Sequence, residues 1–170
     1  MAFVKIPTST TVINDYTFEG CTNLTEVVLH SEITEIGQMA FLKCEKLESV
    51  TIPSKLTTIK AGAFTRCNLK SITLPNSITK IESTAFATNK NLTDVHITSQ
   101  CRIGISAFIN CSSLSKVYCN VNQPPYLESS NVFSGTSETL TIYVPMASVD
   151  AYKTANGWKD LADKIVGYEF

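Results

Sequence analysis

Nowhere does this sequence hold the ~20 consecutive apolar residues that a helix needs to cross a bilayer, and its first residues lack the charged region and long apolar segment of a signal peptide. As written, the chain has no segment that inserts into or targets a membrane. It also lacks an excess of either charge. Fourteen Lys and Arg stand against fifteen Asp and Glu, with no basic stretch to follow a phosphate backbone, which argues against nucleic acid as a partner. Histidine occurs only twice, at His30 and His96, and neither Cys-x-x-Cys nor His-Glu-x-x-His is present, so a metal centre finds no support. There is no Gly-x-Ser-x-Gly elbow and no glycine-rich phosphate loop. These absences argue against an enzyme and imply no cofactor.

What the chain does have is a period. Phenylalanine returns at Phe18, Phe41, Phe64, Phe86, Phe108 and Phe133, at intervals of 23, 23, 22, 22 and 25 residues. A repeat of this length signals a solenoid, and 170 residues with 44% hydrophobic composition can bury a sizeable core as one body. Around the first five Phe the rest of the unit recurs: an aliphatic five residues before, usually Cys three after, then Leu, then an alternating pair such as Val50-x-Ile52. The pair has the two-residue period of a strand. Strands are therefore expected near Val4–Ile6, Val27–Leu29, Val50–Ile52, Ile72–Leu74, Val95–Ile97, Val117–Cys119 and Ile142–Val144. Segments such as Gly62–Cys67 are too short for an independent α-helix and should form one helical or 3₁₀ turn, while Leu56 and Ile59 form a short extended piece. Strands about 22 residues apart cannot be hairpins; a turn-and-return connection permits parallel stacking. No coil can bury its apolar face alone, so equivalent residues should pile into columns at about 4.8 Å per rung. On that spacing His30 and His96 lie three rungs and roughly 14 Å apart, too far to share an ion.

The pattern Ile-x-x-Ile-x-x-x-Ala-Phe-x-x-Cys-x-x-Leu-x-x-Val-x-Ile-Pro, clearest from Ile33 to Pro53, resembles the BspA-like branch of the leucine-rich repeat family. The tail is similar to the C-terminal end of many bacterial members: Gln123-Pro-Pro, Ile142-Tyr-Val-Pro145, Ala151-Tyr-Lys and Gly157-Trp-Lys. Three departures are local: Asn89 replaces Cys, the third unit is one residue short after Cys67, and Thr136 stands where Cys is expected. The resemblance implies an α/β repeat, a right-handed leucine-rich-repeat solenoid with a parallel β-sheet and a C-terminal helical cap. It further implies a noncatalytic protein-binding module on a bacterial cell surface or secreted, serving adhesion to a host or extracellular-matrix protein. A structural spacer within a larger surface protein, binding nothing itself, is the alternative.

The division expected along the chain is a solenoid of about six coils over residues 1–145, the first incomplete, and a cap over 146–170 in the same body. Met146 to Ala155 reads as a short helix, with Ser148 and Asp150 near its start and Gly157 past its end. Val149, Tyr152, Trp158, Leu161, Ile165 and Val166 are available to cover the last coil. At the other end Phe3-Val-Lys-Ile-Pro7 is already the strand portion of a unit. A truncated array and a short natural N-terminus with a frayed strand both account for it.

Cys21, Cys44, Cys67 and Cys111 share one repeat position, so their Cβ atoms should be separated by about one rung, beyond the usual disulfide range of about 3.5–4.5 Å. With Cys119, which takes an inward strand position, they read as small buried hydrophobes. Cys101 aligns with Thr34, Thr57 and Thr79 and is the expected reactive thiol. The sequons at Asn23, Asn91 and Asn110 carry almost no weight in repeats rich in Asn and Thr. The outward strand positions are more informative. One column runs Lys5, Val28, Thr51, Thr73, His96, Tyr118, Tyr143, and its neighbour Glu26, Ser49, Ser71, Asp94, Lys116, Thr141. Small polar residues give way toward the C-terminal half to Asp94, His96, Lys116, Tyr118 and Tyr143, the candidate ligand-binding set. Tyr suits a binding surface, offering a large amphipathic area at little entropic cost, yet Tyr and Thr are also good strand formers. Both readings stand on sequence alone.

Overall fold

Each phenylalanine of the period lies on the next. In the computed structural model, which describes residues 2–170, the six rings form one column with centroid separations of 5.1, 5.2, 5.6, 5.3 and 5.6 Å and interplanar angles of at most 14°. Phe41, Phe64, Phe86 and Phe108 are wholly buried, as are the alanines that precede them. The backbone ties the same column together, for Phe41 N–H donates to Ala63 O (2.9 Å), Phe64 N–H to Ala85 O (2.8 Å) and Phe86 N–H to Ala107 O (2.9 Å).

This ladder explains why the expected helical turn does not form in most coils. A helical turn uses its N–H groups within its own coil, whereas here only every second one, such as those of Ala40 and Leu42, bonds three residues back, and the alternate ones, such as those of Met39, Phe41 and Lys43, reach the next coil. Left-handed residues two before the Phe (Tyr16, Met39, Gly62, Thr84, Ser106) and two after it (Gly20, Lys43, Arg66, Thr88, Asn110, Gly135) swing them outward. The strain of roughly 1–2 kcal/mol per non-glycine residue in that conformation is offset by the inter-coil bonds. Only the last coil has a 3₁₀ turn, Ser130–Phe133, where Ser129 Oγ accepts from Asn131 N–H at 3.3 Å.

Strand pairing is parallel throughout. On the sheet face Ala2–Lys5 pairs with Leu24–Val28, and a five-stranded sheet runs Ser71–Leu74, Asp94–Ile97, Lys116–Cys119, Thr141–Pro145, Ile165–Tyr168. The opposite side has two-residue strands, Val12–Ile13 with Glu35–Ile36, then Thr58–Ile59, Lys80–Ile81, Arg102–Ile103 and Tyr126–Leu127. The expected strand at Val50–Ile52 is not formed. Only an isolated Glu26–Ser49 bridge marks it, and both sheets are interrupted at this coil. The short third unit accounts for the sheet-face break: Asn68 N–H and Lys70 N–H donate to Leu47 O and Glu48 O, both at 3.0 Å, after which Ser71–Leu74 ladders only with the coil that follows. Lys55–Glu32, Lys60–Glu35 and Lys70–Glu48 ion pairs span the interruption. These pairs are largely exposed and each contributes little.

Asn89 and the missing residue after Cys67 are two halves of one adjustment. In regular coils the Leu N–H donates to the Cys carbonyl three residues back, as Leu47 to Cys44 O (2.9 Å) and Leu114 to Cys111 O (2.9 Å). Coil three is too short for that bond, and Leu69 N–H donates instead to Asn89 Oδ1 at 3.2 Å. Asn89 Nδ2 donates to Phe64 O and Phe86 O, both at 2.8 Å. The first of these replaces the thiol bonds of the other coils, Cys44, Cys67 and Cys111 Sγ to the Phe carbonyl of the preceding coil at 3.1–3.2 Å. Asn89 is thus a fully buried polar side chain with every bonding group satisfied.

The tail covers the last coil through two buried aromatics. Trp158 Nε1 donates to Pro125 O (2.7 Å) and Tyr152 Oη to Val121 O (2.8 Å), while the Trp158 ring terminates the Phe column 6.1 Å from Phe133. Gly157, at φ +81°, is needed here because a Cβ would stand 2.9 Å from that of Leu127. The expected helix is a 3₁₀ turn, Met146–Ser148, running into an α-helix, Val149–Thr154, and Ser148 makes no side-chain capping bond. Ile165 is buried, and Val149 and Leu161 pack at the core margin. Val166 is not a cover residue: Ile165–Tyr168 joins the sheet as a strand, and its alternation turns Val166 outward.

Two cysteine expectations are corrected. Cys101 is buried, 3% exposed, because the missing residue of its unit lies after it, between Cys101 and Ile103: it follows Ile97 by four positions, as Ile78 follows Leu74, and so takes the inward place. Cys21 is the exposed thiol. The coil before it contributes the strand Ala2–Lys5 and its flanks but no Phe carbonyl for its Sγ to meet.

Candidate binding site on the sheet face

The alternation of Asp94–Ile97, Lys116–Cys119 and Thr141–Pro145 buries Val95, Ile97, Val117, Cys119, Ile142 and Val144, and leaves the intervening side chains to solvent. Strand register then aligns Thr73, His96, Tyr118, Tyr143 and Val166 in one outward row and Ser71, Asp94, Lys116 and Thr141 in the next. The five candidate residues come together on this surface. His96 stacks on Tyr118 with centroids 4.6 Å apart, and Tyr118 on Tyr143 at 4.7 Å. Lys116 Nζ lies 3.9 Å from Asp94 Oδ1, and Thr93 Oγ1 donates to Asp94 Oδ2 at 2.5 Å. Burial among its neighbours raises the pKa of the Tyr118 hydroxyl, an effect the Lys116 charge opposes.

Two further aromatics complete the surface. Tyr168 is 5.7 Å from Tyr118 and 5.3 Å from Tyr143, at 68° and 69°, and Phe170 packs 5.1 Å from Tyr168. Both faces of Tyr118 are taken by His96 and Tyr143, so Tyr168 lies across the edges of the stacked pair. It remains 43% exposed, and Phe170 50%. Sequence reading missed both, having treated Ile165-Val166 as cover; the signal was the strand-like alternation of Ile165-x-Gly167 beside Tyr168. Toward the N-terminal half the face changes character. A groove of about 380 Å³ there is lined by Ser49, Val50, Thr51, Ile52, Ser71, Thr73 and Pro75, where the sheet is interrupted. His30 is remote from the aromatic row, its Nε2 3.0 Å from Pro7 O.

Parallel coils of 22–25 residues, with strands on one side and a tight turn at each stacked Phe, define a leucine-rich-repeat solenoid. The chain belongs to the BspA-type leucine-rich repeat family, whose repeat matches six copies across residues 11–140. Among solved structures it is similar to the T. pallidum leucine-rich repeat protein, at 26% identity and a TM-score of 0.68 over 98% of this chain and 85% of that one. It is also similar to a leucine-rich repeat protein of Bacteroides ovatus, at 25% identity and a TM-score of 0.65 over 84% of this chain and 39% of the other. The pneumococcal vaccine antigen PcpA shares the fold, with a TM-score of 0.74 at 21% identity over 99% of this chain and 42% of its own. The chain thus spans well under half the length of the latter two. No curated protein matches it. The family is that of a protein-interaction repeat module, in a repeat class that is typically noncatalytic. Among the described residues no helix is long and apolar enough to cross a membrane.

Proposed function

We propose that this chain is a noncatalytic protein-binding module of a bacterial surface or secreted protein, with a role in adhesion, and that its protein ligand rests on Asp94, His96, Lys116, Tyr118 and Tyr143. The supporting observation is the aromatic cluster. Five rings, from His96 to Phe170, meet on the solvent-facing side of the sheet, outside the buried core. Rigid, half-exposed Tyr side chains supply contact area at small entropic cost and are typical anchors of protein interfaces. The family supports the module reading, and host or extracellular-matrix proteins are the class of ligand to be tried first.

The test is capture of immobilised host and matrix proteins by the wild-type chain and by Tyr118→Ala/Tyr143→Ala. For a captured ligand the double variant should bind about tenfold or more weakly, equivalent to a loss above 1 kcal/mol. Undiminished affinity would move the site elsewhere, and no capture across the panel would favour a spacer.

A further inference from the structure

The two ends of the sheet face are built differently. At the N-terminal edge, Ala2–Lys5 carries a charged Lys5 and a register shift between Ala2 and Phe3, both devices that discourage strand pairing. The C-terminal edge has neither. Ile165–Tyr168 pairs with Thr141–Pro145 in unbroken register, has no second partner among the described strands, and contains no charge and no proline. Large apolar side chains gather beside it: Met146, Val166, Tyr168 and Phe170 are 64%, 40%, 43% and 50% exposed. Gly167 faces inward, where a Cβ would stand 2.6 Å from Met146 Sδ, so the strand is seated firmly on the tail beneath it.

We propose that this edge is a self-association surface, on which a second copy of the chain pairs its own Ile165–Tyr168 strand antiparallel about a two-fold axis. The strand is complementary to itself. Residues that face each other across such an axis, taken normal to the sheet, lie on the same side of it and therefore differ by an even number of positions. With Gly167 opposite its own copy, Val166 faces the partner's Tyr168 twice, a β-branched and aromatic pair of the kind that stabilises antiparallel strands. Sliding by two positions in one direction sets Asp163 against the partner's Glu169, which like charge disfavours. Sliding in the other direction draws in Glu169 and Phe170, which lie outside the strand. Like charge thus disfavours one neighbouring register and the end of the strand the other; in the Gly167-centred pairing Glu169 stands only opposite Ile165. The pairing joins two five-stranded sheets edge to edge, leaves both outward faces free and doubles the aromatic surface. It stands whether or not that surface binds a protein ligand.

Sedimentation velocity on the chain, from about 1 µM to about 1 mM, covers the range in which an interface below ~1,200 Å² associates. A monomer–dimer equilibrium with no larger species is expected, because a two-fold contact closes on itself. Val166→Lys should weaken it at least about tenfold without lowering the melting temperature, since Val166 faces solvent, while Phe3→Lys at the opposite edge should leave it unchanged. In a Cys21→Ser background, Val166→Cys and Tyr168→Cys chains should form a disulfide-linked dimer faster when mixed than when either is oxidised alone. A monomer throughout the range, an open series of oligomers, a dimer abolished by Phe3→Lys, or cross-linking no faster in the mixture would each overturn the proposal.

Discussion

Six cysteines of one chemistry occupy two environments, and access sets what each can do. Burial pushes the Cys101 thiol up to about 11 and that of Cys111 up to about 12, because a thiolate loses its hydration inside the stack. Cys21, at the open first turn, keeps its access to solvent. The folded protein should therefore react with a small disulfide reagent once, at Cys21, and Cys21→Ser should abolish that reaction; the remaining five thiols should appear only on unfolding. A fast reaction surviving in Cys21→Ser would contradict the burial of Cys101. The same shifts have a sign in pH. The unfolded chain loses these protons near the ordinary value of 9.0 while the folded chain retains them, so stability is full below that value and falls as pH rises toward 12. A denaturant midpoint that declines across this window, and less steeply in Cys101→Ala, would measure it. Repeat alignment correctly assigned one shared column to Cys21, Cys44, Cys67 and Cys111. It misplaced Cys101, because it was counted back from Phe108 across the missing residue, which lies between Cys101 and Ile103.

A single coil behaves as an element whose length and bonding are linked. Asn89 reads in sequence as a lost cysteine and the third unit as a lost residue; nothing in the linear order connects them, since they lie in successive coils. Stacking brings the Asn89 amide to the Leu69 N–H that the short coil leaves without its usual acceptor. Asn89→Cys should consequently cost about 1–3 kcal/mol, the penalty of an unsatisfied buried donor. Inserting one residue after Cys67 in the Asn89→Cys background should recover most of that loss by restoring the regular coil. Chemical denaturation of the four forms gives the coupling directly; additive effects would show the two features to be independent. The expected Val50–Ile52 strand fails for a related reason. Its residues alternate as they should, but laddering needs a neighbour in step, and coil three arrives one residue short.

Across the whole molecule the Phe column is the shared spine, since every complete coil contributes a ring and both faces of each interior ring are covered. Phe64→Ala removes contacts to Phe41 and Phe86 together. A loss of about 3–5 kcal/mol is expected, a large part of the roughly 5–15 kcal/mol typical of a domain, and thermal melting should register it as a clear drop in midpoint. An unchanged midpoint would mean that the column is not what holds the coils. The cap belongs to the same spine, because Trp158 ends the column and its indole N–H closes on Pro125.

Periodicity by itself determined the solenoid, the parallel order of its strands, the identity of the buried column and the two outward rows that hold Asp94 and Lys116, and His96, Tyr118 and Tyr143. Each follows from which residue types recur at what interval, and identical coils can share a core only by stacking in register. Tertiary structure alone decided where that register slips, which thiol meets solvent, and that Ile165–Tyr168 becomes a strand carrying Tyr168 onto the aromatic row. Those outcomes depend on what a neighbouring coil leaves uncovered or unbonded, and that is a property of contacts some twenty residues apart rather than of any local pattern.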